Sequence, residues 1–183
     1  QPMGGGEFDL VQQAVDYGLE LGKNVVFSNM QLPPENMPLI FQVMNAYIHL
    51  GGMQGFCIPL IEAMSTGLPI IAVDSCTHSE ILGDSALISE TPTYDGKHRV
   101  TFGSYNGVEC DIPNPWDIAQ KMENLYKEKS LREELGMKAS QRAVKVFDWS
   151  IIKKEWVDLV KSLIIDETKI PAEWAKLYAE TKM

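Results

Sequence analysis

From position 49 to position 62 the sequence reads His-Leu-Gly-Gly-Met-Gln-Gly-Phe-Cys-Ile-Pro-Leu-Ile-Glu, which sets an imidazole, an amide, a thiol and a carboxylate around three glycines. An apolar run over 46–50 ends at Gly51 and Gly52. Pro59 suits the first turn of a helix starting near Ile58, because the N–H that proline lacks is not needed there. Strand, glycine turn and helix N-terminus in that order expose backbone N–H groups beside the positive end of a helix dipole. Such a corner is a general site for phosphate or another anion. Glu62, taken alone, is a charge near a helix N-terminus, worth a few tenths of a kcal/mol up to about 1 kcal/mol. Cys57 reads as a small buried packing residue, since nothing beyond a helix terminus would lower its thiol pKa. Phe56 reads as core.

The longer run over 54–72, Gln-Gly-Phe-Cys-Ile-Pro-Leu-Ile-Glu-Ala-Met-Ser-Thr-Gly-Leu-Pro-Ile-Ile-Ala, resembles the donor-site signature of retaining glycosyltransferases of the GT-B fold, family 4. That signature carries two glutamates separated by seven residues. Glu62 matches the second, which accepts hydrogen bonds from the ribose of the nucleotide. Gln54 stands where the first, near the donor sugar, would be. Glutamine keeps the reach of glutamate but has no charge and cannot act as a base, so its presence would slow transfer more than it weakens binding if the acid stabilises charge at the anomeric carbon. Cys57 replaces a glycine of the signature. The resemblance implies that Gly55, Phe56, Cys57, Ile58, Pro59 and Leu60 present backbone amides to sugar and diphosphate, and that the loop holding Met30 and Gln31 lies beside the base. His49 is then either a structural histidine or a contact to diphosphate or sugar, and Thr77 and His78 are candidates for the site edge. The implied fold is a Rossmann-like parallel sheet flanked by helices, the C-terminal half of a GT-B protein. The implied reaction is transfer of a sugar from a nucleotide diphosphate sugar to a hydroxyl acceptor with retention, with no cofactor and without a bound metal.

The family's upstream arginine and lysine pair and its preceding strand have no counterpart here, so the resemblance implies a chain cut inside a larger protein whose N-terminal acceptor domain lies outside it. The glycines at 4–6 are either the remnant of the family's first glycine turn or a linker. The Gln54 exchange leaves a second reading, a binding or scaffolding module descended from such an enzyme. No G-x-G-x-x-G follows a strand and no G-x-x-x-x-G-K-[ST] occurs, which disfavours dehydrogenases and P-loop enzymes.

The chain has 183 residues, 45% hydrophobic and 22% charged, as in an ordinary globular domain. No stretch has the roughly eighteen uninterrupted apolar residues of a membrane span. A net charge of -9 argues against nucleic acid as partner. Three cysteines without CxxC spacing indicate neither a disulfide framework nor a zinc site, and the expected setting is reducing and cytoplasmic, free or peripheral to a membrane.

The elements that must position the site follow from pattern. A helix is expected over 8–21, ending at Gly22, and a short buried strand over 24–28. A helix from Pro33 and Pro34 should carry Leu39, Ile40, Val43 and Met44 inward. Strands are expected over 46–50, 68–73 and 86–89. Residues 90–114 form an insertion in which 99–102 and 108–112 pair as a hairpin; its default role is inert decoration, against a lid or oligomer contact, and Lys97, His98 and Arg99 read as solvated surface. Asn114 and Pro115 start one helix, Ser130 with Glu133 caps the next, and Asp148 or Ser150 caps a third with Ile151, Ile152, Trp156, Leu159 and Val160 inward. Residues 1–165 should form the nucleotide-sugar-binding domain, and 166–183 a helical tail whose apolar face would drive self-association.

Overall fold

The computed structural model describes residues 9–28, 31–52, 55–103 and 109–163. The glycines at 4–6, Met30, Gln54 and the tail lie outside them. The chain divides into two compact units, Gln1–Ile40 and Phe41–Met183.

In the first unit α1 spans Leu10–Asp16. The Asp9 carboxylate accepts from the amides of Val11 and Gln12 at 3.0 and 3.1 Å, satisfying two of the donors a helix start leaves open. The helix stops earlier than its apolar spacing predicts, because Gly18 takes φ 77° directly after the Tyr17 cap. The strand expected over 24–28 does not form. A parallel strand needs a neighbouring ladder, and the described residues give Val25 a lone bridge to Leu21 while Val26 stays exposed. A single 3-10 turn over Pro34–Asn36 precedes α2, Met37–Gln42.

The second unit is built on a parallel sheet in the order β1-β2-β3, spanning Tyr47–His49, Ile70–Val73 and Leu87–Ser89. Tyr47 pairs with Ile70, and Ile71 with Leu87. The central strand is buried at every residue, as expected of a parallel strand covered on both faces. Helix α3, Ile58–Ser65, crosses from β1 to β2, and α4, His78–Leu82, from β2 to β3. Of the residues expected inward from α2, Leu39 and Val43 are exposed and Phe41 is buried instead; its ring meets Tyr47 edge-on at 5.6 Å. A helix of only six residues presents one narrow face to a core.

Helices α5, Pro115–Lys127, and α6, Lys129–Phe147, complete the layers. Asn114 caps α5 as predicted, its side-chain oxygen accepting from Trp116 and Asp117 amides. Ile71 of β2, Leu125 of α5 and Leu135 of α6 share one core cluster. Ser130 is not a cap. The chain needs only Glu128 between the two helices, so α6 has already begun at Lys129. Helix α7, Trp149–Ser162, is capped by Asp148 through the Ser150 amide at 2.8 Å. Its expected inner face is only partly used: Ile151 and Ile152 are half-buried, whereas Trp156, Leu159 and Val160 are exposed, with no layer among the described residues to cover them.

The hairpin within the insertion forms, with β4, Thr101–Gly103, antiparallel to β5, Glu109–Asp111. Arg99 is more than solvated surface. It donates to the Asp74 carboxylate at 2.5 Å, the Asp74 carbonyl at 2.7 Å and Asp111 at 3.2 Å, tying the hairpin to the end of β2. The Ser79 hydroxyl and the Arg99 guanidinium hold the Asp74 carboxyl below its ordinary pKa. Its contribution to stability is therefore complete above the ordinary carboxylate pKa and is lost as pH falls through the lower native value.

Helices α3 and α6 meet backbone to backbone. Gly67, at φ 75° just past α3, lies against Gly136, and a Cβ on Gly136 would stand 2.1 Å from the Gly67 carbonyl oxygen. No flexible side chain is there to yield. Gly136→Ala should therefore destabilise the chain by about 1–3 kcal/mol or more, read as a lowered urea midpoint; an unchanged midpoint would remove this contact from the account. Arg99→Ala should speed amide exchange in β4 and weaken the loss of stability on acidification, whereas a decorative Arg99 would change neither.

Candidate functional site

The site begins where β1 ends at His49 and α3 starts at Ile58. Cys57 occupies the cap position with extended backbone, φ -84° and ψ 90°, and makes no side-chain capping bond. Pro59 sits in the first turn as its fixed φ predicts. The corner is thus a helix start whose cap residue makes no side-chain bond to the first-turn amides, the arrangement that in general suits an anion.

The loop after β2 grips this corner. The Ser75 hydroxyl and the Cys76 thiol both donate to the Gly52 carbonyl at 3.3 Å, and the Thr77 hydroxyl donates to the Gly55 carbonyl. Two loops from adjacent parallel strands are therefore locked at their C-terminal ends, where open α/β sheets hold ligands. Cys76 adopts φ 51°, a left-handed conformation costing about 1–2 kcal/mol for a residue with a Cβ. The grip of Ser75 and Thr77 on either side holds it there. Below them, Asp74 accepts from Ser79 at 2.5 Å.

Glu62 lies on the second turn of α3 and is half-buried. Its charge reaches Tyr47: burial first, then the fields of Cys57 and Glu62, push the Tyr47 phenol above its ordinary pKa. Tyr47 is accordingly a neutral hydroxyl facing a carboxylate-bearing helix. Phe56 is not core. It is 61% exposed and meets Phe147 edge-on at 6.1 Å, in an apolar groove shared with Ile58, Ile61 and Trp149. Its side chain is exposed while Cys57 and Leu60 are buried. Gly55, Ile58 and Pro59 are also exposed, so the predicted donor segment alternates between a solvent face and a core face.

Beneath the corner three side chains converge. His49, Cys57 and His78 are all buried, and one potential ligand atom from each lies within 4.8 Å of the others. Cys57 Sγ is 3.5 Å from His49 Nε2, and Tyr47 Oη is 3.4 Å from His49 Nδ1. His78 Nδ1 meets the Val73 carbonyl at 3.1 Å, while its Nε2 is buried with no hydrogen-bond partner. Burial pushes the Cys57 thiol above its ordinary pKa against a smaller opposing pull from the Leu60 amide. Cys57 is therefore buried, as the sequence indicates, and is no activated nucleophile.

The structure thus brings together His49, Gly55, Cys57, Thr77 and His78, and sets Glu62 one turn along the same helix. His49 and His78 are interior residues and not solvent-facing contacts. Gln31 is exposed in the loop before the 3-10 turn of the first unit, and Met30 and Gln54 lie outside the described residues. Sequence reasoning missed Tyr47 and the gripping role of Ser75. A run of Ser, Cys and Thr directly after a buried strand was the available signal for the second.

A family model described as glycosyl transferases group 1 matches residues 3–142. The O-antigen chain mannosyltransferase B of Escherichia coli is 26% identical over 91 residues, which is 50% of this chain and 23% of that protein. Among solved structures, HepE from Anabaena in complex with UDP-glucose superposes with TM-score 0.62 at 16% identity, covering 84% of this chain and 36% of HepE. The sucrose-phosphate synthase of Thermosynechococcus elongatus superposes with TM-score 0.59 at 18% identity, covering 82% of this chain and 32% of the synthase. At such identities the superpositions establish the fold, the Rossmann-like α/β arrangement of GT-B-like glycosyltransferases, and the chain spans about a quarter to a third of the length of these relatives. The family model covers the whole parallel sheet and both loops that lock the corner, well over half of the residues, and on that ground the chain belongs to the glycosyl transferases group 1 family.

Proposed function

We propose that this chain carries the donor site of a family 4, retaining glycosyltransferase that moves a sugar from a nucleotide diphosphate sugar to an acceptor hydroxyl. The observation that carries the reading is the locked corner: a helix start whose cap residue, Cys57, makes no side-chain bond, held by Ser75 and Thr77, with Glu62 one turn further on. In this reading the diphosphate lies against the amides of residues 55–60, the ribose hydroxyls donate to Glu62, and Gln54 orients the donor sugar. Met30 and Gln31 would border the base. With a net charge of -9, the chain would hold the donor mainly through amides and hydroxyls, so the helix start at 57–60 takes a large share of the phosphate charge. The acceptor side would come from a further domain. The transfer step itself is proposed to need no metal ion on the diphosphate.

The UDP and UDP-glucose named for HepE make uridine the first base to test, and the mannosyl transfer named for the Escherichia coli relative makes GDP-mannose the second donor. Glu62→Ala should weaken nucleotide binding by about 1–3 kcal/mol through loss of charge-assisted hydrogen bonds to ribose, measured by calorimetric titration of the chain. Equal affinity in variant and parent would take Glu62 out of the site. In the full-length protein Gln54→Glu should raise turnover more than donor affinity if a charge at that position stabilises the transition state. A gain in affinity with no gain in turnover would show that glutamine is not the limiting feature.

A further inference from the structure

We propose that His49, Cys57 and His78 form a site for a zinc ion that staples the glycine corner to the loop after β2. Each ligand comes from a different element: the end of β1, the cap of α3 and the first turn of α4. The three are buried and their candidate atoms lie within 4.8 Å of one another. The 3.5 Å between Cys57 Sγ and His49 Nε2 is the edge expected of a tetrahedron with Zn–S near 2.3 Å and Zn–N near 2.0–2.1 Å, about 3.5 Å.

The second observation is the state of His78. Its Nδ1 lies at 3.1 Å from the Val73 carbonyl, which fixes the proton on Nδ1 and leaves Nε2 with a bare lone pair. That Nε2 is buried and has no hydrogen-bond partner, a destabilising condition when nothing offsets it. A backbone carbonyl on one ring nitrogen and a free lone pair on the other is how a zinc-ligating imidazole is held. His49 offers its ring to the same cluster: Tyr47 Oη stands 3.4 Å from its Nδ1, and Cys57 Sγ lies 3.5 Å from its Nε2 and 4.0 Å from its Nδ1. A thiolate with two imidazoles is a borderline-soft donor set suited to zinc.

On binding, the Cys57 S–H proton leaves to solvent, and the Sγ, His49 Nε2 and His78 Nε2 lone pairs form three dative bonds to Zn2+. No electron is transferred, and an oxygen from solvent completes the fourth position. The ion would fix the spacing between the two loops that the Thr77 and Ser75 bonds already bring together. It is separate from the donor reading, because loading is measured with no nucleotide present.

The test is titration of the reduced chain with Co2+ and then Zn2+, followed by absorption and by thermal melting. The expected result is a near-ultraviolet sulfur-to-cobalt band with visible bands of tetrahedral strength, displaced by zinc, and a melting temperature raised by zinc. The chain carrying Cys76→Ser and Cys110→Ser should keep the sulfur band, which assigns it to Cys57 even if Cys57→Ser does not fold. His78→Gln should bind zinc at least about 10-fold more weakly. Absence of the sulfur band from the parent chain, or its loss in the Cys76→Ser, Cys110→Ser chain, overturns the proposal. Unchanged zinc affinity in His78→Gln overturns it as well.

Discussion

Helix α3 can aim its N-terminus at the glycine corner only because its far end lies directly on the backbone of α6. Gly67 and Gly136 make that contact without a side chain on either partner. Any Cβ at Gly136 would lift α3 away from α6 and change where Cys57, the first-turn amides and Glu62 stand relative to β1. Arg142, further along α6, reinforces the same layer by donating to the Ile81 and Glu80 carbonyls at 2.7 Å, which closes the C-terminal end of α4. One helix thus sets the positions of both helices that bear on the corner.

Around that frame, polar bonds at the corner run from loop to loop. Ser75 and Cys76 give their donors to the Gly52 carbonyl and Thr77 to the Gly55 carbonyl, so these two carbonyls are engaged. That division favours anions over cations at the surface of the corner. Below the surface the chemistry reverses, with imidazole and thiol lone pairs gathered in the interior. An acidic chain that presents amides outward and soft ligands inward is consistent with donor binding at the surface and a metal staple beneath.

Much of the second unit was legible in the sequence, because parallel strands buried on both faces read as continuous apolar runs. The apolar run over 68–73 marked β2, Ile70–Val73, by that signal alone, and Pro59 and Asn114 marked helix starts through chemistry local to the backbone. The failures were tertiary. Among the described residues, 24–28 have the composition of a strand but no ladder to join, and the apolar residues of α7 have helical spacing but no layer over Trp156 and Leu159. At the corner, the place of Glu62 on the second turn of α3 was legible from the helix start that Pro59 marks. The convergence of His49, Cys57 and His78 was not, since the 29 positions from the first to the last are brought together only by the β1–β2 register. Phe56 differs from its expected core place because hydrophobicity alone does not say which way a loop residue points, and its ring lies at the surface against Phe147.

The central claim, that a nucleotide donor occupies the corner between β1 and α3, is tested most directly by amide hydrogen exchange with and without saturating UDP or GDP. The account predicts slowed exchange in residues 55–66 and 74–80 with α5 unchanged, because the ligand would engage first-turn amides and tighten the loop that grips them. Binding that is measurable by calorimetry but leaves both segments unaffected, with protection confined to α5 or α7, would contradict it.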